Sequence, residues 1–194
     1  MTYNDVIYSS VNVDEFEIDE REFRARIGAN ITLVSLKDKL NLYNSVVQYK
    51  YAYIRIPVKV KDNICVFDFD EVKSTSLSKT LKNTDEVYIL AVSAGIEVDR
   101  LISKAYINNQ VDGFIFDAIA SAGIESFADY ITKQINEIAI TTNRFSPGYA
   151  DLPLAFQKPL LNRLNATQTV GISLNDKLLM IPQKSITAIM GVKN

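Results

Sequence analysis

The chain has 194 residues, of which 47% are hydrophobic and 23% charged, and this length is enough for one globular core. Its 21 basic and 23 acidic residues give a net charge of −2, which excludes a strong field for nucleic acid or an anionic membrane. The absence of histidine excludes imidazole catalysis and histidine-bound metals, and a single cysteine, Cys65, excludes an intrachain disulfide.

The sequence shows no targeting or membrane-spanning segment. The first fifteen residues are rich in acidic and amide side chains and lack the basic start of a signal peptide. The longest apolar run, residues 87–96, is about half of the roughly 20 residues that a spanning helix needs. We therefore predict a soluble, cytoplasmic protein with one domain over residues 1–194.

The first quarter of the chain predicts an irregular or extended lead-in and two helices. The lead-in covers residues 1–18, and the acidic run over residues 14–20 is typical of a solvated surface. Asp19 is the capping residue of a first helix that ends at Gly28. A second helix is predicted over residues 35–47, where apolar residues recur at steps of four and three.

A β-hairpin, a short helix and a central strand are predicted next. Polar and apolar residues alternate over residues 54–60, and Pro57 places that strand toward a sheet edge. The return strand covers residues 64–69, and a short helix follows over residues 76–81. Residues 86–93 are apolar on both faces, which is typical of a central strand.

The second half predicts helices first and short strands last. Helices are expected over residues 98–105 and 114–138, and the second is rich in small residues that allow close packing on a sheet. Residues 141–153 have a loop composition, and residues 156–164 are helical. Three short β candidates close the chain, at residues 169–174, 178–181 and 185–190. This irregular mixture predicts an α+β fold with a bent, mainly antiparallel sheet flanked by helices.

Two side-chain clusters have a functional and a structural interpretation. Asp68, Asp70 and Glu71 form an acidic group at a strand end, which we interpret as a solvated turn in preference to a divalent-metal site. A second cluster is aromatic and contains Tyr43, Tyr49, Tyr51 and Tyr53. We expect these rings to pack in a core or interface, since a stacking platform for bases needs more basic residues around it.

The most distinctive segment runs from residue 143 to residue 153, with the sequence NRFSPGYADLP. Arg144 offers a planar fork suited to a carboxylate, and Tyr149 offers a ring face and a hydroxyl. Pro147 and Gly148 predict a tight turn that another molecule can approach closely. From the residues alone, a small-ligand site and a purely structural loop are equally supported.

The segment from Arg144 to Tyr149 resembles the Arg-x-x-x-Gly-Tyr motif of the activation domain of cobalamin-dependent methionine synthase. The surrounding sequence is similar too, and the likeness covers roughly residues 70–190. It includes residues 87–95, 117–122, 157–161, 171–174 and 180–189.

The resemblance implies an accessory subunit of a methyltransferase, not a complete enzyme. In that family the motif binds S-adenosylmethionine, whose methyl group restores cobalamin that has been oxidised to cobalt(II), with an electron from a flavodoxin-like donor. This chain would be the stand-alone form. Its partner would be a cobalamin-carrying methionine synthase that lacks its own activation domain, and the lack of histidine agrees with a corrin held by that partner.

The resemblance also implies the site residues. Arg144 would bind the carboxylate of S-adenosylmethionine, Ser146 and Gly148 would contribute backbone groups, and Tyr149 would pack near the sulfonium. No side chain needs to act as an acid or base, since methyl transfer from a sulfonium depends on the leaving group and on placement. We therefore predict no catalytic residue and no metal site on this chain.

Two alternatives remain at this point. Position 138, where the long synthases carry an acidic residue, is Ile138 here, and the chain stops shortly after the last strand candidate. These departures favour a non-catalytic interaction subunit that caps a corrinoid protein without using S-adenosylmethionine. The other alternative is reactivation of a different corrinoid methyltransferase.

Overall fold

The computed structural model describes residues 5–28 and 32–193. The helices are α1 (Glu20–Ile27), α2 (Lys37–Val46), α3 (Thr75–Thr80), α4 (Ile96–Asn108), α5 (Gln110–Ile138), α6 (Gln157–Arg163) and α7 (Ala166–Thr169). The strands are β1 (Ile7–Val11), β2 (Tyr49–Lys61), β3 (Ile64–Phe67), β4 (Glu71–Lys73), β5 (Glu86–Ser93), β6 (Ser173–Leu174), β7 (Met180–Ile181) and β8 (Ser185–Gly191). Short 3₁₀ turns lie at Val13–Glu15, Val34–Leu36 and Leu154–Phe156.

The main sheet of the described residues has six strands, and every pairing in it is antiparallel. The strand order is β4-β3-β2-β5-β8, and β1 also pairs with β2. The long strand β2 organises the sheet, because its first half pairs with β1 and its second half with β3. Strand β5 lies between β2 and β8, so the prediction of a central strand over residues 86–93 is confirmed.

The prediction that Pro57 places its strand at a sheet edge is wrong. Strand β2 pairs on both sides, and Pro57 stands opposite Glu86 of β5. The N–H of the next residue, Val58, donates to Asp85, so the nitrogen of Pro57 faces the other side. On that side β1 reaches only Tyr53 and β3 begins only at Val58. The proline therefore lies in a gap of the ladder, where its missing N–H costs no hydrogen bond.

Each face of the sheet carries its own hydrophobic cluster. In β5 the alternate residues Tyr88, Leu90 and Val92 pack beneath α1, α2, α4 and α5. The intervening residues pack on the opposite side against α3, α6, α7 and the segment that follows α5. Strand β5 is apolar throughout because both of its faces are covered.

The small residues of α5 allow the close packing that the sequence predicts. A Cβ atom on Gly123 would lie 2.4 Å from the hydroxyl of Tyr49 and 2.8 Å from that of Tyr43. These two hydroxyls lie 2.8 Å apart and are buried. Tyr53 is buried on the same face. The prediction that the tyrosine cluster packs in a core is therefore confirmed for these three rings.

Several boundaries differ from the sequence-based expectation. The lead-in contains a strand, β1, which pairs with β2 over Val11↔Tyr49 to Ile7↔Tyr53. Strand β2 begins at Tyr49, five residues before the predicted start at residue 54. The β candidate over residues 169–174 is wrong for most of its length, because α7 ends at Thr169 and β6 contains only Ser173 and Leu174. Short strands depend on a partner that is distant in the sequence for their hydrogen bonds, so local composition predicts them poorly.

The first helix follows its predicted signals. The side chain of Asp19 accepts a hydrogen bond from the backbone N–H of Arg21 at 2.7 Å and caps α1. Gly28 ends the helix with a φ of 107°, a backbone conformation that favours glycine.

The acidic group at residues 68–71 has a structural role in part. Asp68 accepts hydrogen bonds from Nε and Nη2 of Arg163 at 3.0 and 2.8 Å. Within the described part of the chain, no group of three acidic or cysteine side chains is arranged to hold a metal ion. In the same residues, no helix has both the length and the hydropathy to cross a membrane.

Candidate ligand-binding site

The segment after α5 runs along the outer edge of β8. The backbone N–H of Thr142 donates to Gly191 at 2.8 Å, and Phe145 and Ile189 exchange two backbone hydrogen bonds of 3.0 and 2.8 Å. The sequence predicted a loop over residues 141–153. Its first part instead extends the sheet, and the signal was missed because the paired strand lies more than forty residues further along the chain.

A tight turn follows at Pro147 and Gly148, as predicted. The backbone N–H of Tyr149 donates to the carbonyl of Ser146 at 3.1 Å, and Gly148 has a φ of +87°. The N–H of Gly148 donates to the carbonyl of Leu152 at 2.9 Å. The hydroxyl of Ser146 donates to the carbonyl of Thr187 at 2.6 Å. These hydrogen bonds hold the turn to β8 and fix its shape before any ligand binds.

Arg144 points from this segment to the middle of α5. Its Nη2 lies 3.1 Å from Oε2 of Glu125 and 3.0 Å from Oδ1 of Asp129. The side chain of Arg144 is only 19% exposed, whereas those of Glu125 and Asp129 are 38% and 71% exposed. The other terminal nitrogen, Nη1, is buried and has no hydrogen-bond partner among the described residues. An unpaired guanidinium nitrogen is a donor that an added acceptor can satisfy.

A second cation meets the same side of α5. The ammonium of Lys184 donates to the hydroxyl of Ser121 at 2.9 Å and lies 2.8 Å from Oδ1 of Asp117. The four partners on α5 are four residues apart, so they lie along one side of the helix over about 18 Å. We call this set the charged strip: Asp117, Ser121, Glu125 and Asp129 of α5, with Arg144 and Lys184. Its three carboxylates and two cations carry a net charge of −1.

Sequence reasoning found Arg144 but missed most of the strip. Ile138, where the resemblance expects an acidic residue, is exposed at the last turn of α5. The carboxylates that reach Arg144 are Glu125 and Asp129, which lie more than two turns earlier. Their four-residue spacing was visible in the sequence, but only the packing of α5 beside β8 brings them to the arginine.

Tyr149 lies on the outside of the turn. Its side chain is 67% exposed, and its ring packs edge-to-face on buried Phe145 with the ring centres 5.4 Å apart. Phe145 therefore packs against one side of the Tyr149 ring and leaves much of the surface of Tyr149 open to solvent. An exposed, supported ring is suited to stacking on another molecule.

Asp151 has a structural role at the far end of the segment. Its carboxylate accepts hydrogen bonds from the hydroxyl of Ser74 at 2.6 Å and from the N–H groups of Thr75 and Ser76 at 2.7 and 3.1 Å. The hydrogen bond from Ser74, together with those from the backbone, holds the pKa of Asp151 far below the usual value for a carboxyl. Asp151 thus ties the turn to the start of α3.

Comparison with known proteins gives a structural relative. Neither a protein-family model nor a curated protein sequence matches the chain. A crystal structure of the MetH reactivation domain bound to AdoHcy is similar to it with a TM-score of 0.73. The match covers 98% of this chain and 79% of that chain at 15% sequence identity.

This chain has the fold of the MetH reactivation domain. The predicted α+β class, with its curled antiparallel sheet and flanking helices, is therefore confirmed. At this identity the similarity concerns the fold. The ligand and the roles of Arg144, Ser146, Gly148 and Tyr149 stay predictions.

Proposed function

We propose that this chain binds S-adenosylmethionine and presents its methyl group to an oxidised corrinoid on a partner protein. The partner would be a methionine synthase without its own activation domain, and a flavodoxin-like protein would supply the electron. The structural relative supports the ligand class, since that domain was crystallised with AdoHcy, the product that remains when S-adenosylmethionine has lost its methyl group.

The observation that carries the proposal is the unpaired, buried Nη1 of Arg144 beside the rigid turn. A ligand carboxylate at this guanidinium would form a charge-assisted hydrogen bond with a donor that otherwise has no partner. The neighbouring nitrogen, Nη2, stays anchored by Glu125 and Asp129, so the fork is already oriented. Orientation before binding reduces the entropy that the ligand has to overcome.

The charge of the strip favours S-adenosylmethionine over its product. The ligand carries one carboxylate, one ammonium and one sulfonium, so its net charge is about +1, whereas that of AdoHcy is near zero. A strip of net charge −1 with half-exposed carboxylates at Glu125 and Asp129 attracts the two cationic groups. We therefore expect the charged ligand to bind more tightly and its neutral product to leave.

The residues of this chain would bind and orient and would not transfer protons. When bound, S-adenosylmethionine supplies a methyl group activated by the positive sulfur. Arg144 would hold the amino-acid end, and Tyr149 would cover the ligand with its exposed ring. The contribution of these residues to catalysis would therefore be to place the methyl group correctly.

A calorimetric titration tests the ligand. We expect saturable binding of S-adenosylmethionine, weaker binding of AdoHcy, and a loss of affinity for both in Arg144→Ala. A preference for AdoHcy would contradict the charge argument, and no binding of either compound, alone or with the corrinoid partner, would overturn the proposal. The second half of the proposal is the reactivation of the corrinoid partner. It is tested by measuring whether the oxidised partner regains activity, with the absorption spectrum of the corrin as the readout.

One observation favours a second candidate function, a non-catalytic subunit that caps a corrinoid protein. Arg144 already has two carboxylates of its own chain, which compete with a ligand carboxylate. In that case Arg144 is only a structural link between α5 and β8. The two functions differ in one result: capping of the partner survives Arg144→Ala without any ligand, whereas reactivation is lost.

A further inference from the structure

A second cleft lies between α2, α4 and the first turns of α5, and its volume is about 440 Å³. Small-molecule sites in proteins commonly measure about 300–1,000 Å³. Its apolar wall consists of Leu42, Val46, Leu101, Ala105 and Phe116. We call this space the helical cleft. None of the residues that line it belongs to the charged strip.

The apolar wall combines buried and exposed side chains. Phe116 and Ala105 are buried, whereas Leu42 on α2 is 48% exposed. Removal of apolar surface from water is favourable, so a ligand with an apolar body would be stabilised where it covers Leu42 and reaches the buried wall. Sites for small molecules have this composition, with mostly apolar walls and a few polar groups.

The cleft follows the length of α4. Residues of this helix line it from Glu97 to Asn108, a span of eleven residues and therefore of about 16 Å. The residues of α2 that line it, Leu42 and Val46, are four positions apart and so share one side of that helix. An extended ligand matches this shape better than a compact one.

The charges around the cleft leave one cation without a partner. Arg100 forms an ion pair with Glu97, and Lys39 of α2 lies 2.6 Å from Oδ1 of Asp112. Lys104, which lines the cleft and is exposed, forms no ion pair within the described part of the chain. These three cations and two carboxylates give a charge of +1, so the cleft is complementary to a single negative charge.

We propose that the helical cleft binds an extended apolar carboxylate, with a medium-chain fatty acid as the simplest form. The hydrocarbon chain would lie along α4 and cover Leu42 and Leu101. The carboxylate would accept a charge-assisted hydrogen bond from the ammonium of Lys104. The proposal does not depend on binding of S-adenosylmethionine.

The experiment uses decanoate as the probe and the full chain as the receptor, with calorimetry below the concentration at which the probe forms micelles. We expect saturable binding with one site per chain. Octanoate, which has two fewer methylenes, should bind up to about fifteenfold more weakly. Decanol and decyltrimethylammonium keep the ten-carbon chain but lack the negative charge, and both should bind more weakly than decanoate.

Two variants separate the charge from the apolar wall. Lys104→Gln should weaken decanoate about threefold to tenfold and leave decanol unchanged. Lys133→Gln makes the same replacement at an exposed position of α5 and is its matched control. Leu42→Gln should weaken decanoate and decanol alike, whereas Leu179→Gln, at a residue that is 53% exposed outside the cleft, should change neither. Thermal denaturation checks that all four variants fold.

The other outcomes would overturn the proposal. They are the absence of saturable decanoate binding, equal affinity for decanoate and decyltrimethylammonium, and equal binding of decanoate to the wild type and Lys104→Gln. Sedimentation velocity provides a further test. Self-association of the wild type that Leu42→Gln abolishes would assign the cleft to a second copy of the chain and would also overturn the proposal.

Discussion

The two ends of the segment from Arg144 to Asp151 hold charged side chains in contrasting ways. Asp151 accepts three hydrogen bonds from the start of α3. Arg144 is anchored through its terminal nitrogen Nη2, and its other terminal nitrogen, Nη1, is buried without a partner among the described residues. A fully paired charge stabilises the fold, whereas a charge with an unpaired donor is available for a ligand. The same short segment therefore contains a fully paired charge and the charge to which the proposed function assigns the ligand.

The sharpest test of this contrast is replacement of Arg144. We expect Arg144→Ala to weaken S-adenosylmethionine binding at least about tenfold, because a charge-assisted hydrogen bond is lost. The free energy of unfolding should change by less than about 1 kcal/mol, since its carboxylate partners are considerably exposed. Calorimetry and urea denaturation measure the two effects.

Arg163→Ala is the matched control for Arg144. Arg163 is similarly covered, with 22% of its side chain exposed, and forms an ion pair with Asp68, which is not a member of the charged strip. The variant Arg163→Ala should leave ligand binding unchanged. Equal losses of affinity in the two variants would show that Arg144 acts through general charge and not as a specific contact.

Replacement of Asp151 should give the opposite result. Asp151→Asn keeps the size of the side chain but removes an acceptor from the start of α3, so we expect the largest fall in melting temperature among the variants of this segment. Binding measured well below that temperature should be retained. Loss of binding in a fully folded Asp151→Asn would contradict the structural role.

The pH dependence of stability adds a second test of Asp151. Its pKa is lower in the folded chain than in the unfolded one, so the unfolded state binds more protons as the pH falls. The stabilisation is therefore complete above the unfolded value of about 3.9 and is lost progressively below it. Urea denaturation at a series of acidic pH values should show a steeper loss for the wild type than for Asp151→Asn.

The hydrogen bond between the turn and β8 is expected to contribute less to stability than Asp151 does. Ser146→Ala removes a hydroxyl that donates to the carbonyl of Thr187, a residue only 2% exposed, and should cost about 1–3 kcal/mol of unfolding free energy. Ser45→Ala removes a similar bond of 2.7 Å to Leu42 at an exposed site and should cost less. If Ser146→Ala and Ser45→Ala lower the melting temperature by comparable amounts, the hydrogen bond of Ser146 does not hold the turn in place.

The smallest effect in this series concerns the backbone of the turn. Gly148→Ala places a side chain at a φ of +87° and should cost about 1 kcal/mol, with an additional loss of affinity if the turn shifts. Gly171→Ala imposes a comparable φ of +73° where no atom lies within 4 Å of the new Cβ. It should destabilise the chain similarly and leave binding unchanged, which thermal denaturation and calorimetry can distinguish.

Much of the fold was predictable because its signals are local. The cap at Asp19, the stop at Gly28 and the apolar strand β5 follow from hydrogen-bonding and burial rules that act within a few residues. The motif from Arg144 to Tyr149 was recognisable for the same reason, since its residues are consecutive.

What remained hidden depends on residues that are distant in the sequence. The partners of Arg144 lie 15 and 19 positions earlier, and the groups that pair with Asp151 lie about 76 positions earlier. Local sequence thus specified the helices, the central strand and the turn. Only the packing of α5 and of the start of α3 against that segment determined which of its charges are paired, because pairing requires atoms to meet in space.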